Sequence, residues 1–130
     1  MTSDKIGTLE LHGVEEKALI YKGAQFHFHH PAEHIFEGKA HHPMELHIVH
    51  SLVDGPTDYK NKYAVIAIYF KYSDKENQFL KSLEIKTLEN CKEVDLPALL
   101  DSIDHKDIYY YEGSLTTPPC TEAVNWYLGI

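Results

Sequence analysis

Across 130 residues the chain carries 20 acidic against 12 basic side chains, a formal charge of −8 with neutral histidines, and 43% hydrophobic content. That length bounds it to one small domain, expected over residues 1–130, and the spread of acidic residues argues against nucleic acid or an anionic membrane surface as a partner. No apolar run nears the roughly 20 residues that span a bilayer, and the opening Met1–Gly7 segment lacks the apolar stretch of a signal peptide.

In chain order, residues 6–12 alternate loosely and are read as a strand, 13–16 as a turn, and Ala18–Tyr21 as a short strand. Lys22-Gly23 is read as a turn into a further strand over about 24–30, ended by Pro31, which cannot donate to a sheet ladder. A polar connection containing Gly38 leads to a strand at 44–50, and Asp54-Gly-Pro-Thr-Asp58 is a loop. Tyr63–Tyr72 is almost wholly apolar, as a central strand covered on both faces should be. Asp74–Leu83 has a helical pattern with Phe79, Leu80 and Leu83 on one side, and Leu96–Leu100 is a short helix or turn. Ile108–Tyr111 and Ala123–Leu128 are strands flanking the Gly113–Thr121 loop. Nine Tyr and five Phe suit this picture of a mainly β chain, a mostly antiparallel twisted sheet with short peripheral helices. Cys91 and Cys120 can form at most one disulfide, which fixes no redox compartment.

Eight of the ten histidines fall within residues 25–50. In Gln25-Phe-His-Phe-His29 the period of two puts His27 and His29 on one face and the phenylalanines on the other. Glu45-Leu-His-Ile-Val49 alternates likewise, and an antiparallel return brings His47 beside the first pair. Two nitrogens from one strand and a third from its neighbour make a three-histidine metal site with an open fourth position, the pattern of a catalytic zinc. A lone histidine is usually solvated or hydrogen-bonded, and His12, His41, His42, His50 and His105 are read that way. His30 points away from the ligand face, and His34 is read as a buried, satisfied side chain.

Gln25 and Glu45 stand two residues before His27 and His47 on the same faces, where each can accept the second ring N–H of a ligand. Glu33 is either an exposed turn carboxylate or a group that orients a hydroxyl. Thr116 and Thr117 precede two prolines: a stiff loop in the plain reading, or hydroxyls that orient a reacting oxygen in the functional one.

Together Gln25-Phe-His-Phe-His29, Ala32-Glu-His34, Glu45-Leu-His-Ile-Val-His50 and Gly113-Ser-Leu-Thr-Thr-Pro-Pro-Cys-Thr-Glu122 resemble an α-class carbonic anhydrase over about residues 10–128. The short link after His29 is similar to that of the plant, algal and bacterial forms. The resemblance implies zinc-dependent, reversible hydration of CO2 to bicarbonate and a proton. It implies His27, His29 and His47 as zinc ligands and Gln25 and Glu45 as their hydrogen-bond acceptors. Thr116 would be the gating hydroxyl and Glu33 its carboxylate partner. Val49, Val65, Leu115 and Trp126 would line the CO2 pocket, with Thr117 at its mouth and His34 and Tyr111 in a supporting network.

The chain departs from the family by lacking the N-terminal part and the last strands. The family's proton-shuttle histidine falls upstream of Met1, and His12, 15 residues before His27, does not replace it. Cys120 matches the family's disulfide cysteine, whose partner belongs to the missing N-terminal part; Cys91 has no counterpart. The backbone acceptor for His29 would come from the missing C-terminal region. The expectation is an incomplete domain, truncated at both ends, with an exposed sheet edge that a second copy or a partner chain would complete. The resemblance, through Cys120, implies a secretory or periplasmic route. A zinc-binding but inactive module is the alternative. A cupin-type metal oxygenase is a remote one, because His27-x-His29-x3-Glu33 resembles a first cupin motif with Glu33 as ligand.

Overall fold

The computed structural model describes residues 6–14, 17–83, 96–101, 103 and 107–129. Its elements are β1 (Thr8–Val14), β2 (Lys17–His29), β3 (Met44–Asp54), β4 (Tyr63–Phe70), α1 (Gln78–Ser82), α2 (Leu96–Asp101), β5 (Ile108–Gly113) and β6 (Val124–Gly129). The strands form one sheet in the order β1-β2-β3-β4-β6-β5, antiparallel except for the parallel β4–β6 pair. The chain is thus mainly β with minor helix. Cys91 lies outside the described residues.

β4 occupies the interior of the sheet, which explains its apolar run: with both faces covered, alternation has no advantage. Ala64, Val65, Ala67 and Ile68 are all buried. The strand stops at Phe70, short of the expected Tyr72, which is 86% exposed. The helical pattern over 74–83 shortens to α1, because Asn77 caps the helix by accepting from the Leu80 N–H at 3.1 Å.

The largest correction to the sequence reading concerns β2. Residues 18–30 do not form two strands joined by a turn at Lys22-Gly23; they form one long strand with a bulge between Gly23 and Gln25. Gly23 is needed for close approach instead. A Cβ there would fall 2.4 Å from the Ile6 Cβ, and the Gly23 N–H donates to the Gly7 carbonyl at 2.9 Å. The bulge has a consequence for the site. Tyr21 and His27 are separated by an even number of residues and would share a face in a regular strand. One inserted residue reverses the phase, sending Tyr21 to one side of the sheet and His27 to the other.

Two apolar layers result. On one face Leu46, Ile48 and Ile68 pack with Ile6 and with Phe79, Leu96 and Leu99 of the helices. Each such side chain contributes on the order of 2 kcal/mol through burial. On the other face Val65, Ala67, Val124, Trp126 and Leu128 form a second cluster, joined by Val49 and Leu115. A buried polar knot pins the helix side of the sheet: Tyr21 Oη donates to the Asn61 carbonyl at 2.8 Å, and Asn61 Nδ2 donates to Asn125 Oδ1 at 2.7 Å. Asn125 Nδ2 in turn donates to the hydroxyls of Tyr21 and Tyr59. Burial pushes the Tyr21 phenol well above its ordinary range. The sheet ends at β1 and β5, and Ile108, Tyr109, Tyr110 and Tyr111 of β5 are exposed.

Candidate metal centre

The register of the sheet assembles the site in three adjacent rows. His27 pairs with His47, which pairs with Ala67. On one side lies the row His29, Glu45, Tyr69; on the other lies the row Gln25, Val49, Val65, Trp126, Tyr111. The antiparallel return expected from the sequence therefore forms with His27 directly opposite His47. The ring centroids of His27 and His29 are 4.8 Å apart, those of His27 and His47 5.2 Å, and those of His29 and His47 4.5 Å. One nitrogen from each of the three lies within 4.8 Å of the others, close enough to share one ion.

Hydrogen bonds decide which nitrogen each ring offers. Gln25 Oε1 lies 2.7 Å from His27 Nδ1, so Nδ1 carries the proton and Nε2 keeps its lone pair. Glu45 Oε1 lies 2.8 Å from His47 Nε2, leaving His47 Nδ1 free. Among the described residues, His29 Nε2 is buried with no hydrogen-bond partner. An orphaned ring nitrogen facing two others is costly in a dry site, and a bound cation relieves it. Burial, and then the neighbouring His47 and His29, hold the His27 imidazole below its ordinary pKa, which favours the neutral form that a metal requires.

Glu45 is fully buried and is the hub behind these rings. Its Oε1 also accepts from His34 Nδ1 at 2.5 Å, and its Oε2 accepts from the His34 backbone N–H at 2.9 Å. Burial acts to raise the carboxyl; the bonds from His34 and His47 outweigh it and hold the group below the usual carboxylate range. Because an ionised carboxylate only accepts, His34 must donate through Nδ1 and receive the Tyr111 hydroxyl at Nε2, 2.6 Å away. Burial, with the charges of Glu45 and Glu33, pushes the Tyr111 phenol up to about 12, so it stays a donor. Trp126 packs its ring against His34 and His47, with centroids 4.8 and 4.9 Å away, and its Nε1 donates to the Ser114 carbonyl at 3.1 Å. Val49, Val65, Leu115 and Trp126 thus share one apolar wall on the imidazole face.

The pairing of Thr116 with Glu33 that the resemblance implies does not form among the described residues. Thr116 and Thr117 are both exposed on the 114–123 loop, where the Thr117 carbonyl accepts from the Cys120 N–H at 2.8 Å. Among the described residues, no hydrogen bond joins Thr116 to Glu33. The Glu33 carboxylate faces imidazoles instead, with Oε1 3.3 Å from His29 Nδ1 and Oε2 3.9 Å from His47 Nδ1. Among the described residues the candidate ligand groups are His27, His29, His47 and His34, Glu45, His47; Glu33 belongs to neither. The second group is already occupied by its own hydrogen bonds.

His50, read as solvated or structural, is structural: it is 4% exposed and faces away from the site. Tyr69 was missed. Its hydroxyl is buried in the row of His29 and Glu45 without a hydrogen-bond partner among the described residues, and its ring lies 4.6 Å from that of His42. Burial, with the charges of Glu45 and Tyr111, pushes this phenol up to about 12. The alternation Tyr63, Val65, Ala67, Tyr69 carried that placement, but an all-apolar strand masks its own phase.

A family model described as eukaryotic-type carbonic anhydrase matches residues 2–129. Alpha carbonic anhydrase 2 of Arabidopsis thaliana is 35% identical over 127 residues, covering 92% of this chain and 46% of the relative. The structure of a fungal alpha carbonic anhydrase from Aspergillus oryzae superposes with a TM-score of 0.68 at 30% identity, over 96% of this chain and 56% of that one. The alpha carbonic anhydrase of Thermovibrio ammonificans, solved with the inhibitor sulfanilamide, gives a TM-score of 0.66 at 36% identity over 89% of this chain and 49% of that one. The chain spans about half the length of the curated relatives it matches. The cupin alternative is set aside by these matches and by the placement of Glu33. A histidine row built on a bulged strand, an apolar wall beside it and a family match along nearly the whole length agree: this chain belongs to the eukaryotic-type carbonic anhydrase family.

Proposed function

We propose that the chain holds Zn2+ on His27 Nε2, His29 Nε2 and His47 Nδ1 and takes part in the reversible hydration of CO2 to bicarbonate. The observation that carries this reading is the pairing of two features. Three imidazoles converge with one buried nitrogen left orphaned, and a dry wall of Val49, Val65, Leu115 and Trp126 adjoins them. Three neutral histidine nitrogens with a remaining open position suit zinc. When bound, zinc supplies a Lewis acid that lowers the pKa of its water to about 7.

The chain's own residues supply the rest. The apolar wall receives CO2, which has no strong hydrogen-bonding demand, and excludes water from the side on which it sits. Gln25 and Glu45 hold His27 and His47 in the tautomers that keep their donor nitrogens bare. His34 and Tyr111 extend the Glu45 network to the surface and fix the carboxylate in place. Thr116 and Thr117 bring hydroxyls to the mouth of the site, where they orient the reacting oxygen.

A second reading, a metal-binding module without catalysis, is favoured by one observation: Thr116 has no hydrogen bond to Glu33 among the described residues. Zinc titration with a CO2-hydration assay on the unmutated chain and on Thr116→Ala separates the two. The proposal expects activity above that of free zinc, reduced in Thr116→Ala. A chain that binds zinc but shows no activity above free zinc leaves only the second reading. Sulfanilamide, which the Thermovibrio ammonificans relative was solved with, should bind the zinc-loaded chain.

A further inference from the structure

The sheet has two edges, and the sequence treats them differently. The β1 edge is guarded. Glu10 and His12 hold polar side chains in water, at 53% and 77% exposure, and the register breaks between Leu11 and Val14. β5 has no such guard. Ile108–Gly113 contains no lysine or proline and pairs with β6 without a register shift. Among the described residues no second strand covers its outer side. Ile108, Tyr109, Tyr110 and Tyr111 are 43%, 46%, 54% and 41% exposed. The one charge on the strand, Glu112, is met by the Tyr110 hydroxyl at 3.2 Å, so the edge offers little to draw a charged partner.

The unpaired backbone groups of such an edge are satisfied by another strand, and the residue pattern of β5 matches its own copy. A two-fold axis perpendicular to the sheet sets two β5 strands antiparallel and keeps each face continuous, which requires facing positions to share parity. Centred on Tyr110, it sets Tyr110 against Tyr110, Tyr109 against Tyr111 and Ile108 against Glu112 of the second copy. Aromatic cross-strand pairs of this kind are favourable. Centring on Tyr111 instead sets Tyr110 against Glu112 and Tyr109 against Gly113, which wastes the aromatic surface. The ring of Phe36, 4.6 Å from that of Tyr109, widens the apolar strip. The arrangement is also closed: each copy uses up the free edge of the other, and no third copy can add there.

We propose that β5 is a self-association edge, through which two copies of this chain join their sheets about a two-fold axis at Tyr110. The proposal is independent of the zinc reading. Three tyrosines about half exposed offer roughly 100 Å² each, well under the about 800 Å² per partner of a standard interface, so the dimer is weak and concentration-dependent. Pairing shields Tyr111, whose hydroxyl meets His34 Nε2 at 2.6 Å, and with it the outer end of the Glu45 network. The formal charge of −8 on each copy opposes association, so added salt strengthens it, whereas salt would weaken binding of a basic partner.

The test is sedimentation of the full chain from low micromolar to near-millimolar concentration, at low and high salt, with a reductant present so that the exposed Cys120 cannot link copies. Hydrogen exchange of the Ile108–Glu112 amides is followed over the same range. Ile108→Glu places a carboxylate against Glu112 of the other copy, twice by symmetry, and Ile108→Lys places an ammonium there. Both lose the same apolar contact, so their difference reads the facing charge alone. The unmutated chain should pass from monomer to dimer with slowing β5 exchange, and Ile108→Lys should dimerise about 10-fold more tightly than Ile108→Glu. Val53→Lys, on β3 and 60% exposed, should leave the dimer unchanged. Urea midpoints establish that the variants fold; if both Ile108 variants fail to fold, the exchange of the unmutated chain decides. A monomer at every concentration, a mass that grows past the dimer, or equal association of two folded Ile108 variants overturns the proposal. β5 amides already protected in a dilute monomer overturn it as well, by placing another segment of the same chain on the edge.

Discussion

Glu45→Gln is the most informative single change outside the ligands, because the arithmetic of its hydrogen bonds is closed. The carboxylate meets three donors: His34 Nδ1 and His47 Nε2 on Oε1, and the His34 backbone N–H on Oε2. Glutamine keeps the shape and has one acceptor oxygen. If that oxygen takes the place of Oε1, its NH2 meets the His34 N–H donor to donor. If the NH2 takes that place, it confronts two imidazole nitrogens and forces both tautomers to change, which puts a proton on the metal-facing nitrogen of His47. The first arrangement leaves the part-buried His34 N–H unmatched, at a cost of about 1–3 kcal/mol; the second blocks the His47 nitrogen proposed for the metal, at a cost of about 10- to 100-fold in metal affinity. Urea unfolding of the metal-free protein and chelator competition of the zinc form measure the two effects. A variant within about 0.5 kcal/mol of the unmutated chain, with unchanged zinc affinity, would refute the hub role of Glu45.

Zinc removal should lower the unfolding free energy. At a free zinc level of 100 times the dissociation constant the difference is about 2.7 kcal/mol, and an unchanged melting curve after chelation would show that the metal does not bind the folded state preferentially. Gly23→Ala places a Cβ 2.4 Å from the Ile6 Cβ and should destabilise by about 1–3 kcal/mol; a neutral effect in urea titration would mean the Ile6 crossing is not a close packing. Burial holds the His50 imidazole below the ordinary histidine value of 6.5. A depressed histidine stays neutral when folded, while the unfolded chain takes up a proton. Stability is therefore present above about pH 6.5 and lost as pH falls below it. The urea midpoint of metal-free protein should drop through that range, less steeply in His50→Leu; identical slopes would assign the acid sensitivity elsewhere.

Much of the candidate metal centre was legible because its logic is local. The alternations Gln25–His29 and Glu45–Val49 gave the faces, and a short connection gave the antiparallel return that sets His27 opposite His47. What was not legible depends on long-range approach. Gly23 looked like a turn residue, and only the crossing of Ile6 reveals that it is glycine for lack of a side chain. The bulge beside it cannot be read from an alternation that continues in phase on paper while reversing in space. The Asn61–Asn125–Tyr21 knot joins residues 40 to 104 positions apart, beyond the reach of any local pattern. Thr116 and Glu33 were paired by resemblance, whereas the fold draws the Glu33 carboxylate toward imidazoles four and fourteen residues away.

The central claim is that His27, His29 and His47 hold one metal ion together. Zinc K-edge absorption on the loaded chain, with the metal content of the unmutated protein and of His27→Ala, His29→Ala and His47→Ala, tests it directly. The account predicts one zinc per chain, nitrogen and oxygen neighbours at about 2.0 Å in four-coordinate geometry, and a loss of high-affinity binding in each variant. Sulfur in the zinc shell, or zinc retained at full affinity by any of the three alanine variants, would contradict it.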